Sequence, residues 1–110
     1  MVKHYVYILI CPIDKCIRYV GKSTKPKARF KQHCNDVGET TDKKKWIKRL
    51  RELGLNPLMQ IVAEYNSEAE GRLKESELVK KHIETVYNIH MPGKGEKDIK
   101  AYKKAKHETI

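Results

Sequence analysis

The stretch HYVYILICPIDKCIRYVGKSTKPKARFKQH, residues 4–33, decides the fold. Residues 4–11 are β-branched or aromatic almost throughout, which predicts a strand. Residues 12–15 supply turn chemistry, and residues 17–20 predict a second, shorter strand, so the two form an antiparallel hairpin. Gly21 then marks the expected exit of the chain from the sheet, since glycine adopts unusual backbone dihedrals at little cost.

A helix is predicted directly after the hairpin. Pro26 suits a first helical position, because proline has no backbone N–H to leave unpaired there. The expected cap is Ser23 or Thr24, and the helix should run to about Asn35.

A second, strongly basic helix is predicted from its cap at Asp42 to Leu53, and Gly54 closes it at the usual C-terminal position. Lysine and arginine cover most of the helix outside its apolar stripe. Lys45 and Lys48 on this basic surface are candidate contacts to a polyanionic substrate.

Residues 58–65 read as a third strand. Ser67 and Glu70 then have the spacing of a capping box, which marks the start of a third helix. Its expected apolar positions are Ala69, Leu73, Leu78, Val79 and Ile83. Residues 86–89 fit either a short last strand or an extended segment. The order β-β-α-α-β-α predicts an α+β domain, with a small mixed, mainly antiparallel three-stranded sheet flanked by helices.

Length and charge indicate one small domain with a polyanionic partner. A chain of 110 residues suffices for a single core. We expect a domain over residues 1–91 and a lysine-rich tail over residues 92–110, either helical or disordered. The formal net charge of +10 favours nucleic acid, although charge alone separates neither DNA from RNA nor either from an anionic membrane.

The N-terminal apolar run is read as a buried strand. Residues 5–13 resemble a short signal peptide only superficially, because the run meets Asp14 and Lys15 without a small-residue cleavage site. It is also too short to span a bilayer. We therefore expect an intracellular protein, cytoplasmic or nucleoid-associated, with no membrane partner.

The three cysteines make an odd count, which favours free thiols in a reducing compartment. One alternative is a zinc site built from Cys11, Cys16, His33 and Cys34. A lone C-x4-C spacing without a second pair is a weak signal for such a site.

Glu75 is the most informative single position. It shares one helical face with Leu78 and Val79, and an anion is costly to bury there unless a positive charge offsets it. A divalent metal is one candidate for that charge, and a structural ion pair with Arg72 or Lys22 is the other.

Two tyrosines stand near the predicted hairpin ends. With a loop centred on Ile13, Tyr7 and Tyr19 pair across the hairpin and their rings share one face. A phenol acts as a general base when cations and a metal lower its pKa, and Lys22 and Arg29 are expected nearby. Packing is the alternative role, since tyrosine is common in strands.

Arg29 and His33 lie four residues apart on the first helix and so project from the same side. The planar guanidinium of Arg29 suits phosphate oxygens, although a solvated arginine is the default. His33 has three possible roles: surface residue, phosphate contact or proton carrier.

Taken together, these residues resemble the GIY-YIG nuclease family. In that family, Gly-Ile-Tyr is followed after about ten or eleven residues by Tyr-Ile-Gly, and an arginine follows on the next helix. Here Tyr5-Val6-Tyr7 stands in the first place and Tyr19-Val20-Gly21 in the second, followed by Lys22 as in many members. Arg29 falls on the expected helix. The first motif departs from the family in having Tyr5 instead of glycine.

The resemblance extends to about residue 90. Residues 75–82, ESELVKKH, resemble the family helix whose glutamate precedes an apolar pair by three residues. Asn88 matches an asparagine that often closes the domain. The joint spacing over residues 4–90 is more specific than any one motif.

The resemblance implies a metal-dependent DNA endonuclease. Glu75 would ligate a single Mg²⁺ or Mn²⁺. Tyr7 would be the general base toward water and Tyr19 would orient water or phosphate, or the two roles would be exchanged. Arg29 and Lys22 would stabilise charge at phosphorus. The remaining expected contacts, including those to substrate, are His33, Gly21, Asn88, Lys45 and Lys48.

The main competing interpretation is a non-catalytic basic module that binds nucleic acid on the same fold. The intact acid argues for the enzyme, because a binding module has no evident need for it. DNA is the expected partner and RNA is not excluded. A separate targeting partner would direct the protein to its site, and a homodimer would supply the second active site needed to cut both strands.

Overall fold

A computed structural model describes residues 2–88 of the chain. The sheet contains β1 (His4–Ile10), β2 (Ile17–Ser23) and β3 (Leu58–Tyr65) in the order β2-β1-β3. Both pairings are antiparallel, so the sheet expected to be mixed is antiparallel throughout the described residues. The predicted α+β class and element order are confirmed.

Three helices complete the fold: α1 (Pro26–Cys34), α2 (Asp42–Glu52) and α3 (Glu68–Lys81). The cap of α2 is Thr41 and not Asp42, because the Thr41 hydroxyl accepts from the backbone N–H of Lys44. The predicted capping by Ser67 is confirmed, since its hydroxyl accepts from the backbone N–H of Glu70 at 3.2 Å.

The predicted side-chain caps of α1 are wrong. Lys25 is the N-cap and no side chain caps the helix, while Ser23 Oγ accepts from the Lys25 backbone N–H. The start of α1 therefore depends mainly on Pro26, whose fixed φ suits the first helical position.

Alternation along β1 divides the hydrophobic core into two clusters on opposite sides of the sheet. The cluster that includes α3 residues, here called the α3 face, contains Val6, Ile8, Val20, Val79, Ile83 and Val86. The cluster that includes α2 residues, here called the α2 face, contains Tyr7, Leu9, Cys11, Trp46, Ile47 and Leu50. The sheet thus lies between helices on both sides.

The rotation of α3 about its axis differs from the expected one. Leu73, expected in the core, is 73% exposed, and Ala69 is exposed as well. Gly71 and Val79 are the buried residues of this helix. Its inward stripe therefore runs through positions 71, 75 and 79, which places Glu75 on the side that faces the sheet.

The last described residues run beside β2 without forming a strand. Asn88 Oδ1 accepts from the backbone N–H of Val20 at 3.1 Å, and Asn88 Nδ2 donates to the Val20 carbonyl at 2.8 Å. One side-chain amide thus pairs with the outer edge of β2 as a neighbouring strand would. The predicted boundary at residue 91 and the tail over residues 92–110 lie outside the described residues. Across residues 2–88, no helix has the length and apolar character needed to cross a membrane.

Candidate active site

Tyr7 and Tyr19 share the α2 face but are not directly opposite each other. Tyr7 pairs with Gly21, and Tyr19 pairs with Leu9. The predicted direct pairing is wrong for two reasons. Ile10 pairs with Ile17, so the loop is not centred on Ile13, and Arg18 forms an extra residue in β2 that shifts the register once more between Leu9 and Ile10. The two phenol rings are diagonal neighbours with centroids 6.5 Å apart.

Gly21 lies inside β2 and its φ is not positive, so the expected exit of the chain from the sheet at this residue is wrong. The role of Gly21 is steric. A Cβ at this position would overlap Cζ and the hydroxyl of Tyr7, and it would crowd the Tyr19 ring. The missing side chain therefore creates the space in which the Tyr7 ring lies.

His33 contacts Tyr7 directly. Its Nε2 lies 2.6 Å from the Tyr7 hydroxyl in a buried hydrogen bond, and its side chain is fully buried. The pKa of His33 is lowered to about 3, mainly by burial and in addition by the charges of Lys43 and Arg29. The imidazole is therefore neutral at neutral pH.

The other ring nitrogen of His33 decides which atom carries the proton. Nδ1 is buried and has no hydrogen-bond partner among the described residues. A buried N–H without an acceptor is rarer in proteins than an unused acceptor. This favours the tautomer in which Nε2–H donates to the Tyr7 oxygen.

Arg29 on α1 acts on both phenols. Burial is the main cause that raises the pKa of Tyr7 and of Tyr19, whereas the charge and hydrogen bonding of Arg29 lower both. The guanidinium also donates to Gln32 Oε1 at 2.8 Å, which holds it along the helix. The phenols remain protonated in the free protein because burial outweighs this single cation.

Glu75 acts on the same two phenols from α3. After burial, which is the main cause of the raised pKa of Tyr7 and Tyr19, the negative charge of Glu75 raises both further. Its carboxylate is thus within electrostatic range of the two phenols. The two cations considered as structural partners for Glu75, Lys22 and Arg72, both pair with Glu68.

The donor set fits a magnesium-like ion better than zinc. Within residues 2–88, no three His, Cys, Asp or Glu side chains come together as a ligand group. The zinc alternative, which needed Cys11, Cys16, His33 and Cys34, is therefore wrong. One carboxylate suits Mg²⁺, which keeps several waters and takes further ligands from substrate phosphates.

Lys43 and Asp36 belong to the same cluster, and sequence reasoning missed both. Lys43 is only 9% exposed, and its Nζ lies 3.0 Å from Asp36 Oδ2. The same Nζ lies 5.0 Å from the centroid of the Tyr19 ring. The three consecutive lysines, Lys43, Lys44 and Lys45, look alike in the sequence. In the structure, the Thr41 cap and the buried Trp46 determine which side of α2 faces inward, and Lys43 lies on that side.

The remaining expected residues lie away from the phenols or are engaged elsewhere. Lys22 points to the α3 face, where its Nζ is 3.6 Å from Glu68 Oε1. Both ends of the Asn88 amide are used by Val20. Lys48 pairs with Glu39, and Lys45 is exposed.

The fold and this site define a nuclease-type α+β domain. A family model described as the GIY-YIG catalytic domain matches residues 3–88, which is most of the chain. The chain belongs to the GIY-YIG family, whose members are endonucleases that act on nucleic acid and generally use divalent metals. Comparisons with curated proteins and with solved structures gave no match.

Proposed function

We propose that this protein is a metal-dependent DNA endonuclease that hydrolyses phosphodiester bonds. The observation that carries the proposal is that Arg29 and Glu75, from two different helices, both act electrostatically on Tyr7 and Tyr19. A cation, a carboxylate and two phenols at one place suit phosphoryl chemistry. The formal net charge of +10 supports a polyanionic substrate.

Glu75 would hold a single Mg²⁺ or Mn²⁺. When bound, such an ion polarises the phosphate and favours departure of the leaving oxygen. Glu75 is half-buried on the inward stripe of α3, and its charge acts on both phenols.

Tyr7 is the general base, because it alone of the two phenols has the short hydrogen bond to His33. His33 donates Nε2–H to the Tyr7 oxygen, which fixes that oxygen and stabilises it as a phenolate. Arg29 lowers the pKa of the phenol, and a bound divalent metal would lower it further, so that Tyr7 releases its own proton to solvent before the reaction. The resulting phenolate accepts a proton from the attacking water, while Tyr19 orients the water or the phosphate.

Arg29 binds the non-bridging oxygens of the scissile phosphate and stabilises the charge that develops there. Lys22 and exposed lysines such as Lys45 contribute to the positive field that attracts the backbone. Asn88 and Gly21 contribute to the shape of the site. One active site cuts one strand per visit, so the expected first product is a nick.

Conversion of supercoiled plasmid to nicked or linear DNA, with Mg²⁺ or with EDTA, tests the proposal. Glu75→Gln should abolish cleavage and leave DNA binding almost unchanged. Glu77→Gln is the matched control, because Glu77 is exposed on the same helix. Equal nicking by wild type and Glu75→Gln would contradict the metal-ligand assignment.

Genomic DNA and unrelated plasmids are assayed in parallel, because a single plasmid can lack the target site of a sequence-specific enzyme. If wild type binds all of these DNAs in a salt-dependent way and cuts none with Mg²⁺ or Mn²⁺, the chain is a binding module and not an endonuclease.

A further inference from the structure

Lys43 occupies a position that a surface lysine would avoid. Its side chain is 9% exposed, whereas Lys44 is half-buried and Lys45 exposed on the same turn. Lysine normally extends its charged end into water. Desolvation lowers the pKa of Lys43, and the hydrogen bond that Lys43 donates to Asp36 opposes this effect.

The ion pair with Asp36 does not by itself explain this burial. Asp36 is less deeply buried, and its Oδ1 also lies 3.8 Å from Lys44 Nζ, so a pair with a more exposed lysine is already available to it. The desolvation cost of a buried ion pair commonly exceeds what the pair returns. Stability alone therefore gives no reason to bury Lys43.

The surroundings of the ammonium group do give a reason. Lys43 Nζ faces the Tyr19 ring at 5.0 Å from its centroid, and the Tyr19 ring is 5.0 Å from the His33 ring. His33 in turn bonds Tyr7. A buried cation thus lies against the phenol and imidazole cluster, on the side from which α2 packs.

We propose that Lys43 is a positioning residue of the phenol site: Asp36 holds its ammonium group against the Tyr19 ring, where its positive charge acts on the phenols and on His33. This rests on the proposed use of a tyrosine as general base. Lys43 does not touch the reacting atoms and acts through Tyr19 and His33.

Several charged and titratable groups face this cluster, and the sign of the effect follows from all of them. They are Tyr7 and Tyr19 from the sheet, Arg29 from α1, Asp36 from the loop, Lys44 from α2, and Glu75 from α3. Without the Lys43 charge, less positive charge offsets the carboxylates of Asp36 and Glu75. The proton affinity of the phenols and of His33 should therefore rise together.

Lys43→Met tests this, because methionine keeps much of the side-chain volume without the charge. Lys43→Arg restores the charge, and Lys44→Met is the matched control that removes the other lysine beside Asp36. Lys43→Gln replaces the methionine variant if that variant fails to fold, because its amide can still donate to Asp36.

Two readouts are needed, one of them independent of cleavage. NMR titration of the His33 imidazole should show its pKa raised by about one unit in Lys43→Met and unchanged in Lys44→Met. The plasmid-nicking rate at neutral pH should fall about tenfold in Lys43→Met, the factor that corresponds to one pKa unit. Raising the pH by about one unit should restore it, and Lys43→Arg should behave like wild type.

An unchanged His33 titration with an unchanged pH–rate profile in Lys43→Met would overturn the proposal. So would an equal loss in Lys44→Met, which would indicate a general charge effect. If wild type itself cuts no DNA, the endonuclease proposal fails separately, because the His33 titration still decides whether Lys43 acts on the cluster.

Discussion

The two faces of the sheet contrast sharply, although the same strand supplies both. Val6 and Ile8 of β1 enter the α3 face, whose buried cluster is entirely aliphatic. Tyr7, from the same strand, enters the α2 face, where a fully buried imidazole and a nearly buried lysine lie beside it. The fully buried residues of the α3 face are apolar, while the α2 face also carries fully or nearly fully buried polar groups.

Individual buried polar atoms on the α2 face lower the stability of the fold. His33 Nδ1 is buried without a partner in the described part of the chain, and Lys43 is largely removed from water. Such groups lower stability unless they are fully satisfied. The aliphatic α3 face thus stabilises the domain and offsets the cost of the polar groups on the α2 face, to which the proposed function assigns the chemistry.

Of the substitutions that compare the two faces, Tyr7→Phe should have the largest effect on cleavage. Loss of a general base typically lowers a rate by about 10²- to 10⁴-fold, and plasmid nicking should fall within that range. The free energy of unfolding should fall by about 1–3 kcal/mol, because the variant leaves His33 Nε2 buried without a partner. Quantitative nicking assays and urea unfolding measure the two effects.

The control for this prediction lies on the opposite face. Ile83→Val removes one methyl group from a residue that is 1% exposed and should cost about 0.5–1.5 kcal/mol of stability. Cleavage per folded molecule should not change. If Tyr7→Phe cuts at the wild-type rate and Tyr19→Phe does not, the general base is Tyr19.

Substitution of two glycines, Gly21 on the α2 face and Gly71 on the α3 face, compares how tightly the two faces are packed. The Cβ added by Gly21→Ala meets the ring end of Tyr7, which is buried and cannot move freely. Overpacking of this kind costs about 1–3 kcal/mol, and displacement of Tyr7 from His33 should reduce cleavage as well. Urea unfolding and the nicking assay detect both losses.

Gly71→Ala should behave differently. Its Cβ would meet the flexible Lys22 side chain, with Cδ at 3.0 Å, and His4 Cβ at an ordinary contact distance of 3.7 Å. Alanine is favoured over glycine in a helix by about 0.5–1 kcal/mol. Stability should therefore stay level or rise, with cleavage retained. Equal damage from the two substitutions would mean that Gly21 has no special relation to Tyr7.

The sequence predicted the elements well because local chemistry determines them. Leu58–Tyr65 forms the third strand as its β-branched content indicates, and Ser67 caps α3 as its spacing to Glu70 indicates. Gly54, with φ at +73°, follows the C-terminus of α2 as expected, because glycine tolerates that conformation.

Features that depend on tertiary placement were missed. The extra residue at Arg18 changes the pairing of Tyr7 and Tyr19, and no alternation pattern reveals a single-residue bulge. The rotation of α3 exposes Leu73, because a weakly amphipathic helix does not indicate which stripe faces inward. The burial of Lys43 depends on where the loop brings Asp36.

The site was predictable as a set of residues but not as a network. The resemblance named Tyr7, Tyr19, Arg29, His33 and Glu75 by spacing. The bond between Tyr7 and His33 joins residues 26 positions apart, and only the packing of α1 on β2 and the sheet brings them together. The assignment of their roles stays a prediction.

The pH dependence of stability is the most direct measure of what the α2 face costs. Burial holds the folded-state pKa of His33 at about 3, against about 6.5 in an unfolded chain. The unfolded state therefore binds more protons between these values. The contribution of neutral His33 is fully present above pH 6.5 and is lost progressively as the pH falls toward 3.

Between pH 6.5 and pH 5, the free energy of unfolding should decrease by about 1.5 kcal/mol through His33. Desolvation also lowers the pKa of His82, which adds a change of the same sign. Urea unfolding of wild type and His33→Gln at both pH values separates the two, since the difference between the proteins reports His33 alone. This window also avoids Asp36, whose pKa is held below its ordinary value mainly by Lys43 against the effect of burial. Parallel pH profiles for the two proteins would mean that His33 is not buried as a neutral group, and the contrast between the two faces would then lose its main energetic support.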